Sequence, residues 1–342
     1  MLELDKLIEA IYFWLEKIFV DLGIPKFFLD LLSMLLVALV IIIFAALSVM
    51  FLVWWERKIS GHFQSRFGPM RVGWHGWLQT IVDAIKLIMK EDIVPTSADK
   101  VVFYIAPIIL FISALLAYIV IPFGKGLVVR DLNIGILYIL AITTFTVIGI
   151  LSAGWSSNNK YSLLGGFRSA AQIISYEVPL TLSVLGVVLL AGSMSLVTIV
   201  KSQNGIVHWF IWKQPLGFLI YLTAAIAEVN RVPFDIPEAE QEIVAGYNVE
   251  YSGMKFAMFF FAEYMNTFLI CAIATTLFLG GWNGPILPSY VWFFIKTFFL
   301  IFCLMWLRWT YPRVRVDQLM DFAWKFLLPL AFLNLIVTAL LA

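Results

Sequence analysis

The chain has 342 residues, of which 62% are hydrophobic and 13% charged, with a net charge of +1. A soluble domain carries about 25% charged residues, so this composition excludes disorder and a disulfide scaffold, argues against a soluble enzyme and points to a polytopic membrane protein. The small net charge gives no bulk attraction for nucleic acid. His62, His75 and His208 show no metal-ligand spacing, and Cys271 and Cys303 lie inside apolar runs as buried hydrophobes do.

In chain order, Leu4, Leu7, Ile8, Ile11, Leu15 and Ile18 form one apolar stripe with Asp5, Glu9, Glu16 and Lys17 off it. Residues 1–29 therefore read as an amphipathic segment at the interface. Acids stand where a secretory signal needs bases. Leu31–Trp55 has no charge, glycine or proline and is the surest membrane span. Residues 56–100 read as a loop holding a second amphipathic helix. Trp74, Trp77, Leu78, Ile81, Val82, Ile85, Ile88 and Met89 recur at spacings of three and four, opposite Gln79, Asp83, Lys86 and Lys90. Further spans are Val101–Ile121 around Pro107, Ile134–Ala153, Ala170–Ala191 around Glu177, and a short one from about Leu216 to Ala227. Phe256–Leu279 around Glu263, Tyr290–Trp309 and Phe322–Leu341 complete eight. The expected fold is all-α, a single membrane domain over 1–342 with eight transmembrane helices plus amphipathic interfacial helices. The loops after the odd-numbered spans, with Arg308 and Lys325 at the ends of the last two spans counted in, hold 15 of the 23 Lys and Arg residues, which makes them cytoplasmic or matrix-side and puts both termini on the opposite side.

A carboxylate at bilayer depth costs about 2.5–3.5 kcal/mol on insertion scales and is absent unless used. Glu177, Glu228 and Glu263 all fall there, unless the span boundaries are displaced by a turn toward the interface. The loop 228–255 is acidic, with Glu228, Asp235, Glu238, Glu240, Glu242 and Glu250 around Arg231. A charge run is ordinarily a solvated face, but Pro233, Phe234, Ile236 and Pro237 interleave this one, as in an ordered, partly buried segment. Crowded carboxylates raise one another's pKa and can store and hand on protons. No nucleotide loop, cluster motif or nucleophilic arrangement is present, so the chain binds no cofactor or metal of its own and does not carry electrons alone.

Several segments together resemble the family of membrane H subunits of respiratory complex I. They are Glu56-Arg57-Lys58, Arg66-Phe67-Gly68-Pro69, Asp83-Ala84-Ile85-Lys86, Lys90-Glu91-Asp92, residues 157–166, Ile174-Ser175-Tyr176-Glu177-Val178-Pro179, residues 227–264, Gly280-Gly281-Trp282 and residues 308–313. The resemblance runs in order over roughly residues 30 to 341. It departs at Met70, Trp74 and Thr80, where the family commonly has a polar residue and prolines. It implies the membrane component of a proton-pumping NADH:quinone oxidoreductase, catalytic only within the assembly, in an energy-transducing membrane such as a bacterial plasma membrane. Glu56, Arg57, Arg66 and Asp83 would border the quinone chamber. Asp235, Glu238, Glu240, Glu242 and Glu250 would connect it to Glu228, Glu263 and Glu177. The quinone (ubiquinone, plastoquinone or menaquinone) would be the substrate. Partners would be peripheral subunits with FMN and iron–sulfur clusters, membrane-arm antiporter-like subunits, and lipid. The alternatives are a homologous component of a membrane-bound hydrogenase-type pump, a stand-alone secondary transporter and a passive anchor for the peripheral arm.

Overall fold

A computed structural model describes residues 26–236 and 244–341. The amphipathic stripe of residues 4–18 and the acids Glu238, Glu240 and Glu242 lie outside the described residues. The described chain is helical, and no β-sheet occurs among its residues. Seven of its helices are long and apolar enough to cross a membrane: α1 (Lys26–Phe63), α3 (Lys100–Ala117), α4 (Gly135–Ser156), α5 (Lys160–Ala191), α9 (Gly253–Phe278), α10 (Ser289–Thr310) and α11 (Val316–Leu341). The amphipathic helix α2 (Gln79–Met89) follows a tight turn at Trp74–Gly76, and the short helices α6 (Leu196–Ser202) and α7 (Phe210–Lys213) lead into α8 (Pro215–Glu228).

Three boundaries differ from expectation, each for a physical reason. The α1 helix runs on past Trp55 through Glu56, Arg57 and Lys58, because no glycine interrupts it before Gly61. At 38 residues it is about 57 Å long against a hydrocarbon core of about 30 Å. Its charged end therefore extends beyond the apolar layer. The α5 helix starts at Lys160, capped by the Asn159 side chain, which accepts from Tyr161 N. Gly165 and Gly166, which read as loop residues, lie inside it. A Cβ on Gly165 would stand 2.6 Å from Gly246 Cα, so that glycine marks a close backbone approach. The α11 helix begins at Val316 and absorbs an extra residue in a π turn at Phe322–Leu327.

The α8 helix is short, as its sequence indicates. Its 14 residues span about 21 Å, too little to cross alone. The chain then continues without helix from Val229 to Ile236. Backbone polar groups taken out of water need partners within the protein, and Val229, Arg231, Phe234 and Ile236 are all buried. Gln172 on α5 supplies the missing donors: its Nε2 donates to Ala227 O at 2.8 Å and to Phe234 O at 2.7 Å. The core between α1, α3, α9 and α10 is aromatic, with Phe44 edge-on to Phe123 at 5.2 Å and Tyr118 stacked on Phe268 at 5.9 Å.

Candidate functional site

Three carboxylates enter the bundle from three helices. Glu177 projects from α5 toward α4, where Thr144 Oγ1 donates to it at 3.1 Å. Thr144 is exposed and Glu177 half-buried, so this pair lies at the outer face of the α4–α5 wall. Glu228, at the end of α8, lines two cavities of about 30 Å³ each. One also holds Thr143 and Tyr221. The other holds Asn230, Glu263, Asn266 and Thr146. Each exceeds the roughly 10–15 Å³ that a water needs, and the second has enough polar atoms to bind one. The charges of Glu177 and Glu228 act on each other.

Arg231 organises the next layer. Its Nη1 donates to both oxygens of Glu56 at 3.1 and 3.2 Å, and its Nε pairs with Glu263 at 3.0 Å. Arg308, from α10, donates to the same Glu56 carboxylate. The Arg231 guanidinium lies 4.4 Å from the centre of the Tyr264 ring. Two acids and two bases thus cancel in a buried cluster, the condition under which charge is tolerated there. The carboxylates of Glu263 and Glu56 keep the guanidinium charged in spite of its burial. The charge of Asp235, at the end of the buried segment, acts on Glu263.

The same end of α1 forms one wall of an apolar groove of about 370 Å³. Phe51 and Trp54 of α1, Thr80 and Ile81 of α2, Phe268 of α9 and Phe298 of α10 are among its lining. Trp54 Nε1 donates to His75 O at 3.2 Å and closes the turn that leads into α2. At the α1–α2 junction, Arg57 Nη1 donates to Asp83 Oδ2 at 2.6 Å. Burial would raise the Asp83 pKa. The hydrogen bonds from Arg57 and Gln79 and the charges of Arg57 and Lys86 outweigh it and hold the carboxyl below the usual aspartate range. Thr80 sits buried in the groove wall, and Met70 Sδ accepts from Lys58 Nζ at 3.0 Å.

The structure therefore divides the residues grouped by sequence. Arg57 and Asp83 meet. Arg66 lies on the exposed turn beyond α1, with its Nε on Gln64 Oε1 at 2.6 Å. Glu56, the helical neighbour of Arg57, points the other way, into the cluster with Arg231. Glu228 and Glu263 line one cavity, with Glu177 acting on the first by its charge and Asp235 on the second. Glu250 is held apart from these, accepting from Asn159 Nδ2 at 2.5 Å at the start of α5. The adjacent Tyr251 stacks on Phe103 at 4.0 Å. Burial pushes its hydroxyl up to about 12, which keeps it a neutral hydrogen-bonding group.

Sequence reasoning misses Arg231, Arg308, Tyr264, Asn230 and Gln172 as site residues. The usable signal is charge balance: acids at bilayer depth require cationic partners, and Arg231 is the one base between Glu228 and Glu250. Arg308, close to the end of its span, reads from sequence as a topological charge only.

The chain has extensive matches among known proteins. Residues 36–339 match the family model described as NADH dehydrogenase. The NADH-quinone oxidoreductase H subunit of Dehalococcoides mccartyi (strain CBDB1) is 56% identical over 306 residues, covering 89% of this chain and 86% of the relative. The second H subunit of the same enzyme from Geobacter metallireducens is 50% identical over 342 residues, covering 94% and 98%. The H subunit from Geobacillus kaustophilus is 52% identical over 290 residues, covering 83% and 86%. With matches of this extent along almost all of its length, the chain belongs to the family of NADH-quinone oxidoreductase H subunits.

Proposed function

We propose that this chain works as the membrane component of a proton-pumping NADH:quinone oxidoreductase, where it admits the quinone and couples its reduction to proton movement. The observation that carries this reading is the double attachment of Arg231. It joins Glu56, two residues beyond Trp54 of the groove wall on α1, to Glu263, which shares a cavity with Glu228. A disturbance in the groove thereby has a direct electrostatic route to the carboxylates.

The groove suits an isoprenoid tail, being apolar and lined by aromatic rings. Arg57 and Asp83 lie near its mouth, where a polar quinone head would leave the apolar layer, and Arg66 marks the basic face that a peripheral partner would cover. Reduction of a quinone to a quinol takes up two electrons and two protons. The electrons come from partner subunits that hold FMN and iron–sulfur clusters, since the sequence carries a motif for neither. Loss of negative charge or arrival of a proton near Glu56 shifts the balance between Glu56 and Glu263 for Arg231. Glu263, Glu228 and Glu177 then answer by exchanging protons across the two cavities, with Asp235, Glu238, Glu240, Glu242 and Glu250 feeding the line from the acidic loop.

Moving one charge against 100 mV takes roughly 2.3 kcal/mol, which poorly screened charges in a low-dielectric bundle can supply. Glu177 opens at the outer α4–α5 wall, where a neighbouring antiporter-like protein would receive the effect. The host is an energy-transducing membrane, with the basic loops on the cytoplasmic side and both termini opposite. The groove is tested in the purified complex by Ser48→Phe, which puts a ring into its wall. The KM for a long-tailed quinone is expected to rise several-fold while that for a short-tailed analogue holds; equal, unchanged values for both overturn the assignment.

A further inference from the structure

The α2 helix forms a wall of the groove, yet almost nothing of it is buried. Of Gln79–Met89 only Thr80 is buried, while Ile81, Val82, Ile85, Ile88 and Met89 are exposed. An isolated helix of 11 residues is marginal in water, because helices in proteins draw most of their stability from packing. An apolar stripe resting on lipid keeps such a helix in the plane of the interface. It does not fix the distance to α9 and α10. Something else must do so.

The polar contacts at the two ends of α2 answer this. On the side nearer α1 stand the Trp54–His75 hydrogen bond and the Arg57–Asp83 pair. At the other end, residues 90–93 are seated on the first turn of α9. Ser252 Oγ accepts from Ile93 N at 3.0 Å and donates to Glu91 O at 3.2 Å. Gly253, at φ +56°, lets the backbones close up: a Cβ there would stand 3.1 Å from Lys90 O. Lys255 then pairs with Asp92 at 3.0 Å, its ammonium 3.6 Å from the centre of the Tyr104 ring and 4.9 Å from that of Phe103. The lysine side chain is 8% exposed and the aspartate 45%. The cation, carried by α9, is held against two aromatic rings of α3, so the carboxylate on the strap after α2 comes to it.

We propose that Lys255 is a positioning residue, the latch that holds the trailing end of α2 and with it the width of the apolar groove. The part of this that concerns quinone rests on the reading of the groove given above. The latch has a second consequence, because α9 starts directly after the acidic segment that ends at Glu250. The groove wall and the acidic loop are thus anchored at one point. Lys255 touches neither the groove nor the carboxylate line, and it acts through the placement of α2.

Hydrogen exchange of the assembled complex tests this, followed over residues 79–93 in Lys255→Met, Lys255→Arg and Asp92→Asn. Loss of the pair in Lys255→Met or Asp92→Asn is expected to speed exchange about fivefold, the equivalent of roughly 1 kcal/mol. Lys255→Arg keeps both the charge and the cation–π contact and is expected to stay within about twofold of native. In the first two variants the KM for a long-tailed quinone rises without a matching fall in kcat. Exchange at native rates in both Lys255→Met and Asp92→Asn overturns the latch, whatever the groove binds. Faster exchange with unchanged KM for long- and short-tailed quinones alike upholds the latch and overturns the groove as the quinone's route. Because Asp92 is half exposed, its variant assembles even where a buried substitution at Lys255 does not.

Discussion

Arg231 serves two carboxylates and one ring at once, and no other side chain can do that. A lysine would reach one of the acids as a point charge and lose the forked geometry and the stacking on Tyr264. Removing the guanidinium leaves Glu56 and Glu263 facing each other with only Arg308 to offset them. Breaking a buried pair in this way costs about 3–5 kcal/mol. Arg231→Met is therefore expected to lower the thermal stability of the complex or its yield on purification, and Arg231→Lys to recover only part of the loss. A melting transition equal to native in both variants contradicts the bridging role.

Asp83 gives a residue-scale prediction in pH. Its carboxyl is held below the ordinary aspartate range, so its contact with Arg57 adds stability that is fully present above the unfolded value of about 4. That contribution is lost as pH falls through the folded value. A spin label at position 89 on α2, an exposed site away from Asp83, is expected to report the same mobility from about pH 5 to 9 and greater mobility only below about pH 4. In Asp83→Asn the greater mobility is expected at every pH. A transition near neutrality in the native protein would contradict the assignment.

At the scale of elements, the decisive feature is where helices stop short. The α8 helix ends inside the bundle and releases eight residues of irregular chain, 229–236, into protein surroundings. That is how Glu228, Arg231 and Asp235 come to be packed among the helices on a segment that reads in sequence as a loop. Composition located the acids, and the shortness of the apolar run at Leu216–Ala227 was legible. The direction of the chain after Glu228 was not, because it depends on Gln172, an amide more than fifty residues away that carries no motif. Gly165 illustrates the same limit. Its neighbours read as a polar loop, whereas its lack of a side chain serves contact with Gly246 in the acidic loop. Gly165→Ala would place a methyl 2.6 Å from that backbone, and is expected to push the two apart and destabilise by about 1–3 kcal/mol, as overpacking does. Faster proteolysis in the acidic loop would report it; native resistance would contradict the close contact.

For the whole molecule, seven of the eight spans and the amphipathic helix α2 were legible, since each depends on local composition alone. Which side each charge faces was not. Glu56 and Arg57 are adjacent in sequence and point to different places: Arg57 to the α2 junction, Glu56 to the buried cluster. Neighbours on a helix diverge by about 100°, and nothing short of the packed bundle tells which direction is inward. In the proposed function that divergence would be the working connection, because one helix end faces the groove on one side and the cluster of Glu56, Arg231 and Glu263 on the other.

The most direct test of that connection is the ratio of protons translocated to electrons transferred, measured with the complex reconstituted in sealed vesicles and Glu228 replaced by Gln. Glutamine keeps the shape of the side chain at the wall between the two cavities and removes its capacity to exchange a proton. Quinone reduction is expected to continue at a reduced rate while the proton-to-electron ratio falls well below native. A native ratio at a native rate of quinone reduction would contradict the coupling role of the carboxylate line.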